Sequence, residues 1–229
     1  MAIYRVLAIV IAALGAGCTS MGSHDYEALK KVDFGPPRTV RLCVLLDDGI
    51  SAGDARSLLT SAWTEEERRD FGIDFEVVRF RRWFRPGYTV DAIVASLVKE
   101  PLEPPCDRVL AFVNRTFGDF VWGLFWLPEV YGYVTRSVLT HGYVVARMAT
   151  LQQAILLATP ASILNHELYH LLGCTEHWNM GLCYEQIAQL KRADAGEFFP
   201  AWSPITTLKV ITKRQWATEL LALEREQFQ

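Results

Sequence analysis

The sequence predicts an α+β domain: a mixed, mostly parallel twisted sheet, a backing helix, a helix that carries the site, and a small helical C-terminal subdomain. Three observations predict it. Short apolar runs rich in β-branched residues alternate with segments of helical spacing through the first half of the chain. A helical segment containing two histidines follows the last of these runs, and mainly helical patterns come after it. The composition agrees, because 51% hydrophobic and 21% charged residues suit a packed core and argue against disorder. At 229 residues the chain fits one globular domain plus an N-terminal segment. A net charge of -3 gives no electrostatic case for binding nucleic acid or an acidic membrane surface.

The N-terminus has the layout of an export signal. One positive charge, Arg5, precedes an apolar run over residues 6–13, and Gly15-Ala16-Gly17 lead into Cys18. The run is too short to span a bilayer, which takes about 20 residues. Leu14-Gly15-Ala16-Gly17-Cys18 resembles a bacterial lipobox, with the leucine four places before the cysteine instead of three. That resemblance implies a lipid on Cys18, export to the bacterial cell envelope, and a membrane anchor. A plain signal peptide cut nearby is the alternative. Residues 1–18 then form the signal, 19–38 a polar tether broken by Gly35-Pro36-Pro37, and 39–229 a single domain.

Within that domain, residues 39–46 read as a buried strand, and Asp47-Asp48-Gly49 as a turn. Residues 51–70 show helical spacing of Ala55, Leu58, Leu59, Ala62 and Trp63. Residues 73–80 alternate as a second strand, 88–100 form a short helix, and 108–115 a third strand. Residues 117–133 are crowded with aromatics and broken by glycine and proline, which excludes one regular helix. They suit core packing or an exposed strip that binds a partner, with an edge strand around 130–136. A strand over 142–148 and a turn or loop over 150–159 follow. Pro160 opens a helix running to Leu172, and Gly173 stops it. Helical patterns over 184–195 and 213–227 close the chain.

The five cysteines also suit export: giving Cys18 to a lipid leaves an even set. Cys174 with Cys183 would clip the loop after the histidines. Cys43 and Cys106 begin two apolar runs that can start side by side as parallel strands.

The chemistry concentrates in His166-Glu167-Leu168-Tyr169-His170. Residues four apart on a helix lie nearly above one another, with about 6 Å of rise, so both imidazoles can reach one metal ion about 2 Å from each. Glu167 stands about 100° around the helix, placed to take a proton from a zinc-bound water whose pKa falls towards about 7. A third ligand is required. His177 on a continued helix would lie about 10 Å too far along, but the stop at Gly173 lets the chain return. His177 is the foremost candidate, with Glu176 and Glu185 as competitors. Tyr184 reads either as a donor to an oxyanion or as a buried core tyrosine, and His24 and His141 as tether and strand residues.

The stretch from His166 to His177 resembles the long zinc signature of the metzincin clan of metallopeptidases, H-E-x-x-H-x-x-G-x-x-H, with one residue more between Gly173 and the final histidine. Met180 is the only methionine after it and would correspond to the clan's methionine turn, and archaemetzincins have a similarly compact, cysteine-flanked segment. The resemblance spans roughly residues 39–190. It implies a zincin fold, with Zn2+ held by His166, His170 and His177 and Glu167 as general base in hydrolysing a peptide or protein substrate. A zincin-like surface lipoprotein that binds a partner and cleaves nothing is the alternative. Nothing in the sequence calls for more than a monomer.

Overall fold

The computed structural model describes residues 25–87, 89–114, 131–148, 158–193, 196–205 and 209–227. Cys18, the signal-like segment, most of the aromatic-rich stretch and most of the loop expected over 150–159 lie outside these residues. Seven helices and seven strands are formed among them: α1 (Tyr26–Leu29), β1 (Arg38–Leu46), α2 (Ala52–Ala62), α3 (Glu65–Phe71), β2 (Ile73–Arg82), α4 (Val90–Leu97), β3 (Arg108–Val113), β4 (Gly132–Val134), β5 (His141–Val145), α5 (Pro160–Leu171), α6 (Met180–Arg192), β6 (Ala201–Ser203), β7 (Lys209–Ile211) and α7 (Arg214–Glu226).

Five strands form one sheet in the order β2-β1-β3-β5-β4. All neighbours run parallel except β4, which lies antiparallel to β5 at the edge. The central strands are apolar on both faces because both faces are covered. Val40, Leu42, Val44 and Leu46 of β1 join Leu110 and Phe112 of β3 in a core shared with α2, α5 and α6. Cys43 and Leu45 point the other way, with Val109, Ala111 and Val113, into a second core under α4 and α7. The mostly parallel mixed sheet of an α+β domain is therefore present.

Several expected elements take a different form. The single helix expected over 51–70 is two, because Thr64 forms a capping box with Glu67 and starts α3 afresh two residues beyond the end of α2. Helix α6 begins at Met180, four residues earlier than the hydrophobic pattern suggests, because Asn179 accepts from the Leu182 N–H and caps it. The C-terminal part also holds a hairpin, β6 with β7. Three-residue strands leave too little alternation to read. Part of the stretch read as a tether packs on the domain. Leu29 and Phe34 are buried, and the Phe34 ring meets Phe71 edge-on at 4.9 Å.

Helix α5 is set in place at three points. Thr159 and Ser162 form a capping box, with Pro160 in the first turn. Asn165 donates to the Ala62 carbonyl and to Glu67 Oε1, both at 2.7 Å, tying the helix to α2 and α3 one residue before His166. At the far end the buried Arg108 guanidinium donates from Nε to the Leu171 carbonyl at 2.6 Å and to the carbonyls of Phe199 and Pro200. A cation there also complements the negative end of the helix dipole.

Candidate metal centre

His166, Glu167 and His170 lie on the buried stretch of α5, 4%, 5% and 9% exposed. Four-residue spacing brings the two imidazoles together, with Nε2 of His166 and Nε2 of His170 3.2 Å apart. Two nitrogens bound at about 2.0–2.1 Å to one tetrahedral zinc ion are roughly 3.3 Å apart, so this separation fits shared coordination. His170 is held by its other nitrogen: Nδ1 lies 2.7 Å from the Cys174 carbonyl, which accepts its proton and leaves Nε2 as the lone-pair donor.

The third member arrives after a chain reversal. Gly173, at φ 107°, ends the helix with its N–H on the His170 carbonyl and the Cys174 N–H on the Tyr169 carbonyl. Only glycine fits. A Cβ would sit 2.6 Å from the Trp202 ring and closer still to Leu190. The loop then returns His177 to the site, its ring 4.8 Å from that of His170 and 5.5 Å from that of His166. Ligand-capable atoms of His166, His170 and His177 all lie within 4.8 Å of one another, so these three residues can hold a metal ion. Among the described residues, neither Glu176 nor Glu185 belongs to the group. Glu185 is exposed on α6.

Burial lowers the pKa of His166 to about 3, with His170 and His177 adding like-charge repulsion. Burial likewise lowers His170 to about 4 against the opposing effect of its bond to Cys174. Both imidazoles are thus neutral near pH 7, the form that binds metal. Burial alone raises Glu167 to about 8. The backbone of edge strand β4 lies directly on this carboxyl group, and a Cβ at Gly132 would sit 2.6 Å from Glu167 Cγ.

Gly132, Asn165 and the Cys174 carbonyl are the supports that sequence reasoning missed. Of these, only the glycine inside a short strand carries a general signal, since it marks a close approach. Tyr184 is fully buried, with its ring 5.6 Å from Phe71, as a core residue. Met180 is buried in the first turn of α6. His141 is buried in β5, its ring bonded to the Glu100 carbonyl and to Thr140 Oγ1. Both expected disulfide pairings are formed, Cys43–Cys106 and Cys174–Cys183. They suit an oxidising environment. No helix of the described residues is long and apolar enough to cross a membrane. No protein-family model and no curated protein matches this chain.

Proposed function

We propose that the protein is a zinc-dependent metallopeptidase of metzincin-like fold, exported and tethered to the cell envelope through a lipid on Cys18. The observation that carries this reading is the convergence of His166, His170 and His177 beside a buried glutamic acid on the same helix. The topology supports it as well: strands and backing helices precede the site helix, as the resemblance implies. Zinc is preferred over other divalent ions because three neutral imidazoles are a protein ligand set typical of its catalytic sites.

When bound, the zinc ion acts as a Lewis acid and acidifies water. The remaining chemistry belongs to the chain. Burial alone would keep Glu167 largely protonated at neutral pH, but a metal cation held by the adjacent histidines would favour its carboxylate, which would then take a proton from the attacking water on one oxygen and return it to the departing amine nitrogen. Its burial under β4 keeps bulk water from competing for that proton. Among the described residues β4 is the edge strand beside the site, and an extended peptide substrate added along such an edge is the binding mode we propose.

Glu167→Ala separates catalysis from binding. The variant should retain about one zinc per chain and lose peptide hydrolysis by a factor on the order of 10² to 10⁴. Unchanged hydrolysis would remove Glu167 from the mechanism. A wild-type protein that folds fully but takes up no zinc would remove the whole reading.

A further inference from the structure

Two of the three imidazoles are held by helix geometry, and the third stands in a covalent ring. His177 lies within residues 174–183, which the Cys174–Cys183 disulfide closes. Both ends of the ring are tied to the frame of the site. The Cys174 carbonyl takes the His170 Nδ1 proton at 2.7 Å, and Cys183 is fully buried in α6. Gln186, also buried, adds a second tie: its Oε1 accepts from the Thr175 N–H and its Nε2 donates to Thr175 Oγ1, both at 2.8 Å. Between these anchors His177 is exposed, and Trp178 after it is 78% exposed. Core packing does not hold the third imidazole, so its position depends on the ties at the two ends of the loop, of which the disulfide is the covalent one.

We infer that the Cys174–Cys183 disulfide positions His177 and the carbonyl that orients His170, so that metal affinity depends on the oxidation of this pair. The other disulfide has no such part. Cys43–Cys106 joins β1 to the approach to β3 and belongs to the core on the opposite face of the sheet from α5. The inference rests on the three histidines being metal ligands. Opening a ring of this size restores loop freedom corresponding to at most about a hundredfold in affinity, and losing an orienting partner costs about ten- to a hundredfold. Reduction is a balanced exchange. A dithiol delivers two electrons and two protons, leaves as its own disulfide, and two thiols remain on the chain. Because a freed thiolate is itself a zinc ligand, alanine replacement is the cleaner perturbation.

The test is zinc affinity, measured by chelator competition on the full chain, for the oxidised wild type, Cys174→Ala/Cys183→Ala and Cys43→Ala/Cys106→Ala. Circular dichroism of the metal-free forms runs alongside. The first pair should keep the fold and bind zinc about ten- to a hundredfold more weakly. The second should bind within about twofold of wild type even if it melts earlier. In the first background, a further His177→Ala should cost less than it does in wild type, because the two changes remove one interaction. Wild-type affinity in Cys174→Ala/Cys183→Ala overturns the inference. Should that variant fail to fold, zinc release from preloaded wild type before and after phosphine reduction, with the freed thiols alkylated so that they cannot act as ligands, replaces it. A rate that rises about tenfold supports the inference, and an unchanged or slower rate overturns it. Absence of zinc from the oxidised wild type would instead overturn the ligand reading beneath it.

Discussion

The two sides of the candidate metal centre are built in opposite ways. On one side, α5 presents His166 and His170 from a regular helix that is capped at Thr159, tied at Asn165 and held at Leu171 by Arg108. On the other, a short loop presents His177 at the surface, secured by a glycine reversal, a disulfide and Gln186. The helix places its ligands by a repeat that every α-helix shares. The loop places its ligand by constraints particular to this chain. Rigidity on the first side comes from burial, and on the second from covalent closure.

The largest expected effect is on the ligands themselves. Apparent zinc binding of about 10–16 kcal/mol shared over four ligands assigns each about 2.5–4 kcal/mol, between somewhat under a hundredfold and several hundredfold in affinity. His166→Ala should lose at least that much, because it also leaves a cavity in a buried helix. His177→Ala should lose no more, since its side chain is exposed and its loop stays closed. Titration of both variants with zinc tests this. A His177→Ala protein that binds as tightly as wild type would leave the helix side acting alone.

Gly173→Ala strikes the hinge between the two sides. The added methyl group would meet Trp202 and Leu190 at a φ of 107°, so a loss of about 2–4 kcal/mol in stability is expected together with weaker zinc binding. Denaturant unfolding of the metal-free variant measures it. An unchanged midpoint would mean that the chain reverses by another conformation.

Acid distinguishes the buried frame from the exposed loop. Burial, with Arg108 and Arg225 adding repulsion, lowers the pKa of His141 to about 3, below the unfolded value of about 6.5. The unfolded chain therefore binds the extra proton first. The stability contributed is present above pH 6.5 and is lost as the pH falls towards 3, at up to about 1.4 kcal/mol per pH unit from this residue. His166 and His170 steepen the loss in the metal-free protein, and zinc should oppose it. Replacing His141 by Gln should flatten the slope measured by unfolding between pH 7 and pH 5. An identical slope would dismiss His141 as a contributor.

The smallest expected effect is at the start of the site helix. Thr159→Ala removes the capping side chain and should cost about 1 kcal/mol in stability while leaving zinc affinity near wild type, because the cap lies almost two turns from His166. A large change in zinc affinity would show that the helix side depends on its N-terminus more than the geometry suggests.

These two sides also differ in how far the sequence discloses them. Pro160, the four-residue histidine spacing and Gly173 name the helix, its ligands and its end, because helical periodicity is a local property. His177 could be named only as the foremost of three candidates. Where a chain goes after a left-handed glycine depends on contacts such as Leu190, Trp202 and Gln186, which are distant in sequence or carry no motif. The same division runs through the fold. The strands β1, β2 and β3 show as apolar or alternating runs, whereas the restart of α3 at Thr64 and the three-residue strands of the β6–β7 hairpin are set by a single cap and by tertiary pairing. The approach of Gly132 to Glu167 depends on sheet register, and no spacing rule relates residues 132 and 167.

The most direct test is the zinc-edge X-ray absorption spectrum of the oxidised, zinc-loaded protein. It should show one zinc per chain with about three imidazole nitrogens at about 2.0–2.1 Å and one further light-atom ligand. Sulfur in the coordination shell, or only two imidazoles with a carboxylate in place of the third, would contradict the assignment of His166, His170 and His177.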